Sequence, residues 1–258
     1  CWQSVYLSGV PSFAFRKFYA VFLEFEHPTH GRCLIDTGYG PAMMEATRRF
    51  PHRLMRWLTP IPKRQAIFEQ GYPRSAGIDP DSIERIFISH FHADHIGSTR
   101  EFPASTFIYR NASLETLMSL SPMNQMDQAF VPGLLPEDFA ERGETIGEER
   151  FDLNARFAPF KSIDYWNDGS LTLLDLPGHA IGHTGYLLNT DQGPMLYVVD
   201  AFWDRRSWRR GGRLPLVSRR IHHSYSVFLG TQRGITELCQ RESLVPLACH
   251  CPETQDYV

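Results

Sequence analysis

Four residues that can bind a metal ion occur within six positions, in the segment His90-Phe91-His92-Ala93-Asp94-His95. The segment follows Ile83–Ser89, whose β-branched and aromatic residues predict a short buried strand. A loop after a strand can direct these side chains toward two points, and the spacing therefore suggests two metal ions. Imidazole nitrogen and carboxylate oxygen bind Zn²⁺ and other divalent first-row ions, and no four-cysteine set indicates a structural zinc. The segment predicts a catalytic metal site.

Polar residues of the same types also follow strands elsewhere in the chain. Short apolar runs predict strands at 19–26, 32–35, 106–109, 171–176, 185–189, 195–199 and 244–248. Asp36, His179, Asp200 and His250 each come after one of these runs. A helix is predicted at 226–240, before the last strand. Catalytic-type side chains thus follow strands in both halves of the chain.

Two segments are predicted to be helical insertions, one near 41–70 and one near 111–150. The first combines an apolar stripe with arginines and is interrupted by prolines. Such a stripe usually packs a surface helix onto the core, and a lid or a homodimer contact is the alternative. Because no internal repeat or low-complexity linker divides the chain, we expect a single domain over residues 1–258.

The composition limits the partners of the protein. With 42% hydrophobic and 21% charged residues, the chain is typical of a folded globular protein. The net charge of -3 gives no positive field to neutralise phosphates, so nucleic acid is not an expected partner. No apolar run approaches the roughly 18 residues of a spanning helix, so no membrane partner is expected. Five irregularly placed cysteines do not form a disulfide framework, which favours a reducing, cytoplasmic location.

The order of these residues resembles the metallo-β-lactamase superfamily. The segment 90–95 matches the family motif His-x-His-x-Asp-His, and Asp36 lies in Ile35-Asp36-Thr37-Gly38, which matches the family's early Asp-Thr-Gly. His179 after Pro177-Gly178 matches the third histidine, Asp200 the bridging aspartate and His250 the last histidine. The combined pattern covers nearly the whole chain and is far more specific than any one of its motifs.

The resemblance implies an α/β fold, an αββα sandwich of two mixed β-sheets flanked by helices. It also implies two divalent metal ions, Zn²⁺ first, with Mn²⁺, Fe²⁺ or Co²⁺ as alternatives. One ion would be held by His90, His92 and His179, the other by Asp94, His95 and His250, with Asp200 bridging both. Two such ions roughly 3.5–4 Å apart supply a bridging hydroxide near neutral pH.

Other residues in or near this pattern have expected supporting roles. The resemblance implies that Asp94 combines metal binding with proton handling. Asp36 and His183 are expected to orient the loops, because hydrogen-bonding partners around metal ligands are the rule. Cys249 and Cys251 flank His250, and in an extended chain both would point away from its face. We therefore expect both cysteines to pack as small buried hydrophobes rather than to bind metal.

Within the superfamily the chain is most similar to the N-acyl homoserine lactonase group, which implies a small-molecule lactone or ester substrate and a quorum-quenching type of activity. That group usually places a tyrosine three residues after the bridging aspartate, and this chain has Trp203 there. Tyr225 is the expected catalytic substitute for the missing hydroxyl, and Phe202 with Trp203 is expected to line the substrate pocket.

Two alternatives stay open. An arginine-rich segment at 205–220 could attract an anionic group, which would favour a metal-dependent phosphoesterase or another ester or thioester hydrolase of the superfamily. The segment is more typical of a solvated loop. A non-catalytic metal-binding sensor is the second alternative, although all the expected ligand positions are filled.

Overall fold

The computed structural model describes residues 19–58, 71, 73–203, 208, 214 and 216–257. The chain divides into two compact units, one of residues 20–146 and one of residue 19 together with the chain from residue 147 onward. We refer to them as the first and the second unit. The single domain expected from the sequence stays a prediction.

The first unit contains a five-stranded mixed sheet. Its strands are β1 (Leu23–His27), β2 (Gly31–Ile35), β3 (Arg85–Phe87), β4 (Thr106–Arg110) and β5 (Gly143–Ile146), in that spatial order. β1 and β2 pair antiparallel, and the other neighbours pair parallel. The parallel strands β2 and β3 carry near-continuous apolar side chains, as strands covered on both faces do.

The parallel pairing of β2 and β3 also brings the loops that follow them together. The Asp36 N–H donates a hydrogen bond of 2.9 Å to the carbonyl oxygen of Phe87, the last residue of β3. His90 follows three residues later. The sheet of the first unit therefore places the aspartate loop next to the histidine segment.

The second unit contains a six-stranded mixed sheet. Its strands are β6 (Asp152–Leu153), β7 (Lys161–Asp164), β8 (Leu171–Asp175), β9 (Thr184–Thr190), β10 (Gly193–Val199) and β11 (Pro246–Ala248). The spatial order is β11-β10-β9-β8-β7-β6, with β10 and β11 parallel and the other neighbours antiparallel. Buried side chains of β8 and β10 form its core with one long helix.

Along the chain, the α-helices lie between these strands. The α-helices are α1 (Ala42–Ala46), α2 (Met55–Leu58), α3 (Ala93–Ile96), α4 (Asn111–Ser119), α5 (Pro122–Asp127), α6 (Leu216–Arg219) and α7 (Tyr225–Glu242). Single 3₁₀ turns occur at His52–Leu54, Pro80–Ser82, Thr99–Glu101, Pro132–Leu134 and Glu148–Arg150, and a longer one at Pro252–Tyr257. None of the helices in the described part of the chain has the length and apolar character of a membrane span.

The segments predicted as insertions have mixed structure. In the first, α1 and α2 are short helices, and residues 59–70 lie outside the described residues. In the second, α4 and α5 are helical, but β5 is the edge strand of the first sheet. Its sequence, Gly143-Glu144-Thr145-Ile146, has one fully buried residue, so its apolar pattern is too weak to predict a strand.

Candidate metal centre

Three of the four candidate ligands in the histidine segment are buried side by side in the first unit. His90, His92 and His95 have 1%, 6% and 0% of their surface exposed. The ring centroid of His90 lies 4.4 Å from that of His92 and 4.0 Å from that of His95. Asp94 and His95 both lie in the short helix α3, and Oδ2 of Asp94 lies 3.8 Å from Nε2 of His95.

Asp36 orients two of these rings through hydrogen bonds. His95 donates from Nδ1 to Oδ2 of Asp36 at 2.7 Å. The Ser89 hydroxyl donates to the same oxygen at 2.6 Å, and it accepts from Nδ1 of His90 at 3.0 Å. The Ser89 N–H donates to Oδ1 of Asp36 at 2.9 Å. Because the Nδ1 atoms carry the protons, the Nε2 lone pairs of His90 and His95 are available to a metal.

The backbone around these residues approaches closely enough to require glycine. A Cβ atom added to Gly97 would lie 2.6 Å from the carbonyl oxygen of Gly38, in the loop that carries Asp36. Both the N–H and the hydroxyl of Thr37 in that loop donate to the His95 carbonyl oxygen, at 2.8 and 2.9 Å. These contacts hold the aspartate loop and α3 in a fixed register.

The second unit brings together the other three candidate ligands. Oδ2 of Asp200 lies 3.1 Å from Nε2 of His179 and 3.2 Å from Nε2 of His250. His179 and Asp200 are 1% and 2% exposed, and His250 is partly buried. One carboxylate oxygen between two imidazoles is the arrangement that a bridging ligand requires.

His179 and His250 differ in how their surroundings shift their pKa values. Burial lowers the pKa of His179 to about 3, so its ring is neutral, as a metal ligand must be. Burial by itself would lower the pKa of His250, but the Asp200 carboxylate raises it well above the usual value. The His250 Nδ1 atom also hydrogen-bonds the carbonyl oxygen of Tyr19. Each unit combines buried imidazole nitrogens with a carboxylate oxygen, and this donor set fits Zn²⁺ and similar divalent ions.

His183 has both ring nitrogens engaged by the backbone. Its Nδ1 atom donates to the Leu176 carbonyl oxygen at 3.0 Å, and Nε2 accepts from the Asp200 N–H at 3.2 Å. These contacts are those of the orienting residue expected from the sequence.

His222 is a neighbour of the site that the sequence did not suggest. Its ring centroid lies 5.1 Å from that of His179 and 5.2 Å from that of Trp203. The His222 Nδ1 atom donates to the Ser218 carbonyl oxygen at 2.8 Å, and burial lowers the pKa of the ring to about 4. The sequence feature that could have pointed to His222 is the neighbouring histidine, His223, directly after the arginine-rich segment. Most of that segment lies outside the described residues, apart from the short helix α6 at its end.

The predicted substrate residues have different surroundings. The Trp203 ring centroid lies 6.2 Å from that of His179 and 6.2 Å from that of His250. Phe202 instead belongs to the apolar core cluster of the second unit, a position that favours packing over substrate contact. The Tyr225 hydroxyl accepts a hydrogen bond of 3.0 Å from the Leu214 N–H, which leaves its own proton for a donor bond.

The two cysteines beside His250 also differ from each other. Cys251 packs in the apolar core cluster, as the sequence predicts. Cys249 does not follow the predicted alternation, because β11 ends at Ala248 and the chain turns at residues 249 and 250. Its sulfur lies near the side chains of Asp200 and His250, with one ligand atom of each within 4.8 Å of the others. The expectation that Cys249 faces away from His250 is therefore wrong.

Solved structures with similar folds include metal-dependent lactonases. The crystal structure of B. thuringiensis AiiA with bound N-decanoyl-L-homoserine superimposes with a TM-score of 0.69 at 18% identity, covering 99% of this chain and 90% of that chain. AidC, a dizinc quorum-quenching lactonase, gives a TM-score of 0.61 at 16% identity, covering 90% of this chain and 72% of that chain. At these identities the likeness concerns the fold, and it confirms the predicted fold class.

Curated relatives match over part of their length. The N-acyl homoserine lactonase AttM of Azorhizobium caulinodans is 29% identical over 142 residues, which cover 52% of this chain and 47% of the relative. The γ-lactamase FDB1 of Fusarium pseudograminearum is 28% identical over 134 residues, which cover 49% of this chain and 30% of the relative. The chain thus matches about half or less of the length of these relatives.

The family itself is established by a match over most of the chain. The family model described as the metallo-beta-lactamase superfamily matches residues 19–229. This range includes the histidine segment, His179 and Asp200, so the match contains most of the candidate ligands described above. The chain belongs to the metallo-β-lactamase superfamily.

Proposed function

We propose that this protein is a dinuclear metal-dependent hydrolase that opens a lactone or a related ester. The observation that carries the proposal is the position of Asp200, whose Oδ2 atom lies within 3.2 Å of an imidazole nitrogen of both His179 and His250. The proposed ligands number seven. The set consists of His90, His92, Asp94, His95, His179, Asp200 and His250.

Two bound divalent ions, with Zn²⁺ as the first choice, would supply hydroxide near neutral pH and stabilise negative charge on the substrate oxygens. The protein's own residues then have separate tasks. Asp36 and Ser89 keep the Nε2 lone pairs of His90 and His95 available, through the hydrogen bonds at Nδ1. His183 fixes the backbone of Asp200.

The remaining assigned residues act on substrate and protons. Asp94 lies beside the metal-facing nitrogen of His95, and we assign its carboxylate to carry a proton toward the leaving alkoxide as well as to bind metal. Trp203 provides an apolar wall near His179 and His250 that excludes water. The Tyr225 hydroxyl donates a hydrogen bond to the substrate carbonyl oxygen in place of the tyrosine usual at position 203.

The substrate class follows from the relatives and from the chemistry of the centre. Relatives named as lactonases and as a γ-lactamase share part of this chain's sequence, and lactones and lactams are both cyclic acyl compounds. The arginine-rich segment at 205–220 keeps a phosphoester as the second candidate, because guanidinium groups pair well with phosphate. The two candidates differ in the bond that is cleaved and are separable by assay.

The test begins with protein purified without chelators. Metal ions per chain are measured by elemental mass spectrometry, and hydrolysis of acyl homoserine lactones, simple lactones and aryl phosphoesters is followed by pH-stat. We expect two metal ions per chain and turnover of a lactone. Turnover of phosphoesters alone would select the second candidate. A protein that takes up no divalent ion under any loading condition would refute the centre.

A further inference from the structure

Cys249 has polar neighbours at the position where the proposed centre meets β11. The side chain is fully buried, and its thiol is not in a disulfide. The sulfur, a carboxylate oxygen of Asp200 and an imidazole nitrogen of His250 lie within 4.8 Å of one another. Thiolate, carboxylate and imidazole are the three donor types that bind zinc in proteins.

Other cysteines of the described chain have surroundings that suit packing. Cys239 and Cys251 belong to the apolar core cluster of the second unit. Burial raises the pKa of the Cys239 thiol to about 12, and burial likewise raises the pKa of the Cys33 thiol to about 12. These thiols stay protonated and inert, as structural cysteines do. A carboxylate and an imidazole next to Cys249 give it a different environment from that of a packing residue.

The backbone holds Cys249 and Asp200 in a fixed relation. The Cys249 N–H donates a hydrogen bond of 2.9 Å to the carbonyl oxygen of Val199, the residue before Asp200. The pairing of β10 with β11 shifts register between Tyr197 and Val199, and Val199 has a φ of 53°, which is strained for a β-branched residue. Bulges of this kind redirect side chains next to functional sites. One irregularity therefore positions the carboxylate and the thiol together.

We propose that Cys249 is a thiolate ligand of the metal ion bound by Asp200 and His250, which adds a sulfur donor to a centre otherwise made of nitrogen and oxygen. This inference rests on the proposed metal centre. A zinc ion binds sulfur at about 2.3 Å and imidazole nitrogen at about 2.0 Å. On binding, the thiol releases its proton to solvent, and no other bond is made or broken.

A thiolate at this position determines which ion the site prefers. Sulfur is a soft ligand that favours zinc and disfavours the harder ions manganese and magnesium, which prefer oxygen. We therefore expect this half of the centre to select Zn²⁺ or Co²⁺ over Mn²⁺. Loss of the sulfur should lower zinc affinity by at least the roughly 10–100-fold that loss of an orienting partner costs.

The test replaces the bound metal with cobalt and follows light absorption, a readout that does not depend on hydrolysis. A thiolate bound to Co²⁺ gives an intense charge-transfer band in the near ultraviolet. The proteins compared are the unchanged protein, Cys249→Ser, Cys249→Ala and the matched control Cys251→Ala, which changes a cysteine two residues away in the apolar core. X-ray absorption of the unchanged zinc protein adds a measurement that needs no variant, since sulfur at about 2.3 Å is recognisable there.

The proposal requires the band and the zinc–sulfur distance in the unchanged protein, the band in Cys251→Ala, and its loss in both Cys249 variants. Two cobalt ions per chain without the band, or without sulfur around zinc, would overturn the thiolate and leave the hydrolase proposal intact. A band in a protein that hydrolyses no lactone would support the thiolate and contradict the proposed substrate. A protein that binds no cobalt or zinc would refute both.

Discussion

Asp36 and Asp200 each lie at the end of a buried strand, one in each unit of the chain. Their exposed fractions are 0% and 2%. Asp36 receives hydrogen bonds on both oxygens, from the N–H and the hydroxyl of Ser89 and from Nδ1 of His95. Asp200 instead places Oδ2 against the Nε2 atoms of His179 and His250.

The difference shows that the role of a buried aspartate can be inferred from which histidine nitrogen, Nδ1 or Nε2, its carboxylate contacts. A carboxylate that meets Nδ1 fixes the tautomer of the ring and directs Nε2 elsewhere, so it orients a ligand. A carboxylate that meets two Nε2 atoms occupies the place where these rings would bind metal, so it is itself a candidate ligand. Burial and position after a strand are the same for both residues and do not separate the two roles.

The largest effect is expected at Asp200. Asp200→Asn removes the charge from the carboxylate that we assign to both ions, so we expect the protein to lose turnover and to retain at most one metal ion per chain. Elemental mass spectrometry and the lactone assay measure both. Asp191→Asn, an exposed aspartate in the turn between β9 and β10, is the control and should behave like the unchanged protein. Full metal content and activity in Asp200→Asn would remove the distinction drawn between the two aspartates.

A smaller effect is expected at Asp36. Asp36→Asn cannot accept all three hydrogen bonds, so the orientation of His95 is weakened while every ligand remains. Metal affinity should fall roughly 10–100-fold, and excess zinc should restore most of the activity. Competition with a chromophoric chelator gives the affinity. If excess zinc restores nothing, Asp36 has a direct role in the chemistry and the comparison with Asp200 fails.

The sequence predicted the residues of these loops better than it predicted their surroundings. The strands before Asp36, His90 and Asp200 were recognisable because apolar runs and turn residues are local signals. The position of Cys249 was not, because whether the chain extends or turns after Ala248 depends on pairing with β10.

Long-range contacts account for the other differences. The segment that carries His222 is held by a hydrogen bond of 2.9 Å from the His223 N–H to the His179 carbonyl oxygen, residues that are far apart in sequence. Phe202 follows Asp200 closely, and its burial in the core depends on packing with the distant residues Leu238 and Ala248. No local pattern contains this information. Motif spacing therefore predicts which residues bind, and tertiary pairing decides what lies beside them.

Replacing His183 tests whether the hydrogen bond from the Asp200 N–H to the His183 ring supports the Asp200 loop. His183→Ala would leave the buried Leu176 carbonyl and the Asp200 N–H without their hydrogen-bond partner. We expect the free energy of unfolding to fall by about 1–3 kcal/mol. Urea denaturation in the presence of a chelator measures the effect without metal. An unchanged midpoint would mean that His183 does not support the Asp200 loop.

The smallest effect is expected at Tyr225, which lies in the same unit as Asp200 and is assigned to substrate rather than to metal. Tyr225→Phe removes one hydrogen bond to the substrate carbonyl, which is about 0.5–1.5 kcal/mol and corresponds to a roughly two- to tenfold lower kcat/KM. Metal content should not change, and this separates the variant from Asp36→Asn, in which lower activity follows lower metal affinity. The Tyr225 hydroxyl also accepts from the Leu214 N–H, so thermal unfolding of the variant must be measured beside the kinetics. A lower melting temperature with unchanged kcat/KM would assign Tyr225 to packing, and the hydroxyl missing at position 203 would then have no replacement in this residue.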